Sequence, residues 1–212
     1  MTCLAASLVL AAGLVGAQDG PDWSALAGLP PGPARGELVA EALEAARGEL
    51  PREAQQLAHD AGIRAADALE FGLALRVQGR LHARVGQLWT GYNLGVTQHR
   101  SGQTAAGDAT LAALIEGAAP ADRANLWSQR GIFALGQGRR DVAASHFGHA
   151  MALGSADATA ILARERLAGH NLDAARDGFR ASLNRNPDHP WALRGWGLTL
   201  LSAPQPRDPR DR

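Results

Sequence analysis

Residues 127–150, WSQRGIFALGQGRRDVAASHFGHA, contain the spacing that determines the fold of this chain. A small residue, Gly131, is followed twelve positions later by Ala143 and four positions after that by Phe147. Helix-forming residues flank Gly138, which suits a tight turn. The stretch therefore predicts two helices joined by a short turn, with small residues where the helices face each other and a large apolar residue beside them.

The same spacing recurs along the chain. The first small residues of successive copies are separated by 36, 32 and 34 residues, a mean of 34. A fixed period of this length indicates stacked supersecondary units, and such units commonly bind other proteins. The other copies are Gly95, Gly107 and Leu111; Ala163, Ala175 and Phe179; and Gly197, whose copy is unfinished.

Helix formers and stop signals extend this pattern into a series of helices. Short turns are expected at Gly102, at Gly138, at 169–171 and at 186–189, so neighbouring helices should run antiparallel. No segment has the alternating, β-branched character of a strand, which makes the predicted fold class all-α. The predicted helices are 88–100, 103–116, 121–136, 140–153, 157–168, 172–184 and 190–202.

The region before residue 87 has a weaker pattern. Residues 18–35 combine clustered Pro and Gly with no periodicity, which predicts a linker with Trp23 as its docking point. Residues 36–86 form a divergent helical region, in which the stretch after Gly79 looks too short for a full partner helix. Its predicted helices are 37–46, 51–59 and 65–78.

The two ends of the chain differ from the rest in composition. Residues 1–17 are almost wholly apolar and end in small residues, which predicts a signal peptide cleaved after Ala17 and an exported protein: periplasmic, in the cell envelope or secreted. No Lys or Arg precedes the apolar run, so an uncleaved, cytoplasmic protein is the alternative. The run is short for a membrane span. Residues 203–212 are rich in Pro and charge, which predicts a disordered tail.

Composition and motifs indicate that the protein is not an enzyme. Among 212 residues, 21 basic side chains balance 21 acidic ones, so no net charge favours nucleic acid or a membrane surface. No phosphate loop, nucleophile elbow or pair of cysteines is present. His146 and His149 are the nearest approach to a metal site, but no carboxylate stands at a matching helical spacing. We therefore expect no cofactor, and a metal-dependent enzyme on these histidines is the least favoured hypothesis.

The repeated residues resemble the tetratricopeptide-repeat family, whose pattern is an aromatic residue, Leu-Gly, a later Ala, a Phe four residues beyond it and a closing Pro. The resemblance covers about 88–202, within a repeat region of 87–202. It implies a right-handed superhelix of antiparallel helix pairs, an α-solenoid. The copies are 88–121, 124–157 and 156–189, followed by a capping helix at 190–202; they are carried by residues such as Trp127, Gly131, Ala143, Phe147, Leu162, Ala163, Ala175, Phe179, Pro187, Trp196 and Gly197.

The resemblance also implies where a partner binds. In this family the first helix of each pair lines a concave groove that holds a protein or peptide segment. Trp, Tyr and Arg are the side-chain types that most often dominate binding energy at interfaces, which makes Trp89, Tyr92, Arg164 and Arg194 the main candidates. The alternative for Trp89 and Trp191 is that they close the ends of the core. The implied groove residues are Trp89, Tyr92, Val96, His99, Asn125, Ser128, Ile132, Leu135, Ala160, Arg164, Trp191, Arg194 and Leu198.

Two functions of different classes follow. The first is a scaffold without enzymatic activity that binds a protein or peptide segment in the groove. The second is an accessory subunit that regulates an envelope enzyme or transport assembly, with the N-terminal helices as its contact surface. Neither involves nucleic acid, nor a membrane beyond the export signal, and the sequence leaves the oligomeric state open.

Overall fold

A computed structural model describes residues 15–16 and 20–202, and this part of the chain is almost entirely helical. The prediction of an all-α fold with packed neighbouring helices is confirmed. Two-residue strands β1 (Val15–Gly16) and β2 (Gly20–Pro21) pair antiparallel. The described helices are α1 (Trp23–Ala27), α2 (Pro33–Ala45), α3 (Arg52–Asp67), α4 (Phe71–Val85), α5 (Leu88–Arg100), α6 (Thr104–Ile115), α7 (Pro120–Gly136), α8 (Arg140–Ala152), α9 (Ala156–Ala168), α10 (Leu172–Arg185) and α11 (Pro190–Leu201).

The predicted helix bounds differ in accuracy along the chain. From α5 to α11 every predicted end lies within one residue of the observed end, which is the ordinary uncertainty of helix assignment. The predicted signal peptide at 1–17 lies outside the described residues except for Val15–Gly16, and the predicted tail at 203–212 lies wholly outside them.

The structure differs from the expected linker at 18–35. Asp22 caps α1, because its Oδ1 accepts a hydrogen bond from the backbone N–H of Ala25 at 3.0 Å. Leu26 is only 1% exposed, and Trp23 packs against the same core. Pro33, read as part of the linker, begins α2, where its missing N–H costs nothing.

The structure also differs within 36–86. Helix α3 continues to Asp67 instead of ending near residue 59, and α4 is a full helix that continues past Gly79 to Val85. Gly62 lies inside α3, where a Cβ would come within 2.7 Å of Cγ of Gln78. This glycine lets α4 approach α3 closely, so its role is packing and it does not end the helix.

The chain divides into two compact units, residues 1–114 and 115–212. In the first unit, α1 to α4 enclose a core of buried aliphatic side chains that includes Leu43, Val77 and Leu81. Helices α5 and α6 cross closely at two glycines, since a Cβ on Gly107 would lie 2.6 Å from the carbonyl oxygen of Gly95. The small-residue spacing of the sequence is therefore a helix contact in this unit.

The second unit contains two helical hairpins, α7–α8 and α9–α10, followed by α11. Phe147 of α8 is fully buried in a cluster that includes Ala158 and Ile161 of the next hairpin. Phe179 of α10 is 2% exposed and packs with Ala192 of α11. Each Phe therefore packs against the helix that follows its own hairpin, and the arrangement is consistent with an α-solenoid.

Polar side chains repeat with the same period as the apolar ones. Ser155 and His189 are 34 residues apart and are the N-caps of α9 and α11. Each accepts a hydrogen bond from a backbone N–H three residues later, at 3.1 Å for Ser155 and 3.2 Å for His189. The repeat therefore places helix starts as well as helix contacts.

Candidate partner-binding surface

In the first unit, the implied groove residues Trp89, Tyr92, Val96 and His99 are half-buried on α5. The indole of Trp89 packs against the unit's core and meets His59 edge-on, with ring centroids 5.1 Å apart. Its N–H donates to Oε1 of Gln87 at 2.5 Å. These contacts tie the indole to its own unit, which fits the alternative that Trp89 closes an end of the core.

Burial also affects the other aromatic residue of α5. Removal of its phenol from water raises the pKa of Tyr92 above its ordinary value, because the charged phenolate is disfavoured there. Tyr92 and His99 both have interactions within the fold. The first unit therefore holds its implied groove residues partly inside its own packing.

In the second unit, α7 contributes two of its four implied residues to the surface. Asn125 and Ile132 are exposed, Ile132 by 43%. Ser128 is buried: its hydroxyl donates to the carbonyl of Ala124 at 2.8 Å and lies 3.2 Å from Oγ of Ser155. Leu135 is half-buried against the core of the first hairpin.

Helices α9 and α11 are in contact and carry the remaining implied residues. Ala160 is buried on α9, whereas Arg164 is exposed and lies 3.6 Å from Oε1 of Glu165. On α11 the exposed residues are Trp191, at 65%, Arg194 and Leu198, at 46%.

The three exposed residues of α11 lie on one face, because their spacing is three and then four residues. Within the described part of the chain, Arg194 has no hydrogen-bond or ion-pair partner. The structure therefore brings an exposed indole, a free guanidinium and an apolar side chain together on one helix face. This face is the candidate partner-binding surface, defined here by Trp191, Arg194 and Leu198.

The two histidines considered for a metal site face an aromatic ring. His149 stacks on Trp127 with centroids 4.5 Å apart, and His146 lies 5.2 Å from the same ring. The guanidinium of Arg130 lies 4.9 Å from the Trp127 centroid. No group of three or more metal-ligating side chains occurs in the part of the chain that the structure describes.

Sequence reasoning missed a cleft of about 410 Å³ in the first unit, formed by the start of α2, the end of α3 and the start of α4. Arg35 at its wall donates to the carbonyl of Leu29 at 3.0 Å, and Asp67 pairs with Arg100 at 3.2 Å. Both groups thus have structural partners. No sequence signal marks this cleft, because it depends on how α2 lies across α3 and α4.

Sequence reasoning also missed a second apolar face of α11. Leu193, Leu200 and Leu201 are 49%, 50% and 82% exposed. Composition could have revealed this face, since Arg194 is the only charged residue between Pro190 and Leu201.

Comparison with models of known protein families finds no match, and a search of curated proteins finds none either. In residues 15–16 and 20–202, no helix is both long and apolar enough to cross a bilayer.

Proposed function

We propose that the protein is a scaffold without enzymatic activity that holds a protein or peptide segment, and that its second unit is a tetratricopeptide-like array. The observation that carries this proposal is the face of α11 formed by Trp191, Arg194 and Leu198. Trp191 exposes 65% of its surface. An exposed Trp beside a free Arg supplies two of the side-chain types that dominate binding energy at interfaces.

The composition of this surface indicates what it would bind. Trp191 and Leu198 supply apolar contact area, while Arg194 can form paired hydrogen bonds with a carboxylate. A segment with apolar side chains and at least one acidic residue matches this surface. The absence of net charge in the chain means that contacts, and not long-range attraction, would set the affinity.

The test uses peptides selected from a random library on the full chain, followed by affinity measurement with purified protein. Trp191→Ala combined with Arg194→Ala should weaken binding by at least about a hundredfold, since two central contacts are lost. The matched control combines Val142→Ala with Arg140→Ala, which truncates exposed residues of α8. Equal binding by both double variants, or no enriched peptide, would reject the proposal.

The accessory-subunit function makes a different prediction in affinity capture. A single stoichiometric enzyme that is retained by the Trp191→Ala and Arg194→Ala variant would favour it. An exchangeable set of proteins that the variant loses would favour the scaffold. Export would be tested separately, by fractionation of cells that express the full chain, with a cytoplasmic chain as the contrary outcome.

A further inference from the structure

The cleft of the first unit, about 410 Å³, lies where the start of α2, the end of α3 and the start of α4 meet. The apolar part of its wall includes Pro31, Pro33 and Leu73. A Cβ on Gly36, another lining residue, would come within 2.9 Å of Cδ2 of Leu73, so this glycine lets Leu73 pack closely against α2. Ligand sites commonly enclose about 300–1,000 Å³, and this volume therefore suits a small molecule.

Arg35 lines the cleft from the first turn of α2, and part of its guanidinium is held in place. Its Nη1 donates to the carbonyl oxygen of Leu29 at 3.0 Å and to that of Ala27 at 3.3 Å. Its Nε and Nη2 donate to no residue in the described part of the chain. The two carbonyls orient the guanidinium and leave donors for a ligand, and such preorganisation reduces the entropy lost on binding.

A second guanidinium reaches the cleft from the last turn of α3. Arg64 is exposed and has no hydrogen-bond or ion-pair partner among residues 15–16 and 20–202. Asp67, three positions later, pairs instead with Arg100 at 3.2 Å. Two guanidinium groups with free donors on one cleft suit a carboxylate, whose two oxygens can accept paired hydrogen bonds.

Glu70 adds a negative charge to the same wall. It follows a tight turn in which the N–H of Leu69 donates to the carbonyl of Ala66 at 3.2 Å and the N–H of Glu70 donates to that of Ala65 at 2.8 Å. Leu69 has a φ of 62°, in the left-handed region that such turns usually fill with glycine. The turn brings Glu70 back to the cleft, where its carboxylate caps no helix and pairs with no described residue.

We propose that this cleft binds a free α-amino acid with an aliphatic side chain. The carboxylate of the ligand would pair with Arg35 and Arg64, its ammonium group with Glu70, and its side chain would lie against Pro31 and Leu73. An α-amino acid carries both charges on one carbon beside an apolar group, which matches a wall with both signs of charge and an apolar part. A phosphate would suit the guanidinium groups, but Glu70 would repel it.

The site belongs to the first unit and does not depend on the partner-binding surface of α11. Its ligand selectivity is tested by calorimetric titration of the full chain with three probes. L-Leucine carries both charges, 4-methylpentanoate lacks the ammonium group and L-leucinamide lacks the carboxylate. L-Leucine should bind at least about tenfold more tightly than either analogue, because each analogue leaves a charged group of the cleft unpaired. Equal affinity for L-leucine and either analogue, or no binding of L-leucine up to its solubility, would overturn the proposal.

A variant of the free guanidinium tests the carboxylate contact. Arg64→Met should weaken L-leucine binding at least about tenfold, because a charge-assisted pair is lost. It should leave the fold intact, since the guanidinium contacts no described residue. The matched control is Arg52→Met, at an exposed arginine of the same helix outside the cleft, which should bind as the unmodified chain does. L-Leucine binding that Arg64→Met leaves unchanged would contradict the assignment.

A variant of the free carboxylate tests the ammonium contact separately. Glu70→Gln should remove most of the preference for L-leucine over 4-methylpentanoate, because the amide no longer attracts the ammonium group. The matched control is Glu41→Gln, at an exposed glutamate of α2 outside the cleft, which should keep the preference. Circular dichroism without ligand checks that both variants are folded. An undiminished preference in folded Glu70→Gln would mean that Glu70 does not contact the ligand, and the proposal would fail.

Discussion

His189 at the start of α11 lies 2.7 Å from Asp157 at the start of α9, measured from Nε2 to Oδ1. Its other ring nitrogen, Nδ1, accepts the backbone N–H of Ala192 at 3.2 Å. A neutral imidazole that accepts at Nδ1 must carry its proton on Nε2 and donate it to the carboxylate. One side chain thus caps α11 and links the start of α11 to the start of α9.

This arrangement predicts that the helix cap of His189 contributes more to the free energy of unfolding than its contact with the Asp157 carboxylate. His189→Ala should lower the free energy of unfolding by about 0.5–2 kcal/mol, and His189→Asn should restore most of the loss because Asn also caps. Asp157→Ala should cost less, since Asp157 is 67% exposed. Urea denaturation measures all three; an Asp157→Ala loss as large as that of His189→Ala would contradict the order.

The burial of Phe147 predicts a large loss on truncation. Its ring is fully buried, lies against Gly131 and extends into the next hairpin. Phe147→Ala should lower the free energy of unfolding by about 3–5 kcal/mol, because it leaves a cavity between hairpins. Val142→Ala, on the same helix but 37% exposed, is the control and should have a small effect in the same denaturant titration.

The fold of the repeat region could be predicted because its helix contacts join residues that are close together in the sequence. Gly131 and Phe147 are sixteen positions apart and touch directly, and glycines and caps mark the helix ends. The helix bounds of the N-terminal region were predicted less accurately. The predicted helix 51–59 ended before Gly62, whereas α3 continues through this glycine because its lack of a side chain lets Gln78 of α4 pack closely.

Only part of the candidate partner-binding surface could be predicted from the sequence. The family resemblance implied that Trp191, Arg194 and Leu198 belong to a groove, and the structure exposes all three. The same resemblance included Ser128, which is buried where its hydroxyl meets Ser155 at the start of another helix. Burial of that kind depends on a neighbouring hairpin and leaves no trace in the spacing of α7.

Gln78 predicts a stabilising substitution. It is 3% exposed, and neither its amide nitrogen nor its amide oxygen has a hydrogen-bond partner among the described residues. An unsatisfied buried polar group costs about 1–3 kcal/mol, so Gln78→Met should raise the free energy of unfolding by a comparable amount while keeping the contact with Gly62.

The control for Gln78→Met is a glutamine whose amide is satisfied. Oε1 of Gln98 accepts a hydrogen bond from Thr110 at 2.7 Å. Gln98→Met should therefore destabilise the protein where Gln78→Met stabilises it. Thermal melts of both variants compare the two directly, and a fall in melting temperature for Gln78→Met would mean that its amide is satisfied in solution.

Tyr92 predicts a loss of stability at alkaline pH. Burial raises its pKa in the folded chain above the ordinary value of about 10 that it has when unfolded. The folded state thus holds the phenol proton more tightly, and this contribution to stability is complete below the unfolded pKa. It is lost as pH rises through the folded pKa.

The composition of the chain allows this titration to be assigned to Tyr92. Tyr92 is the only tyrosine and the chain has no lysine, so no other side chain titrates with an ordinary pKa near 10. Ultraviolet absorbance of the phenolate should show a higher midpoint in native buffer than in denaturant. Tyr92→Phe should remove that signal and flatten the fall in unfolding free energy over the same pH range. Equal midpoints in the two solvents would show that the phenol is exposed to water in the folded protein.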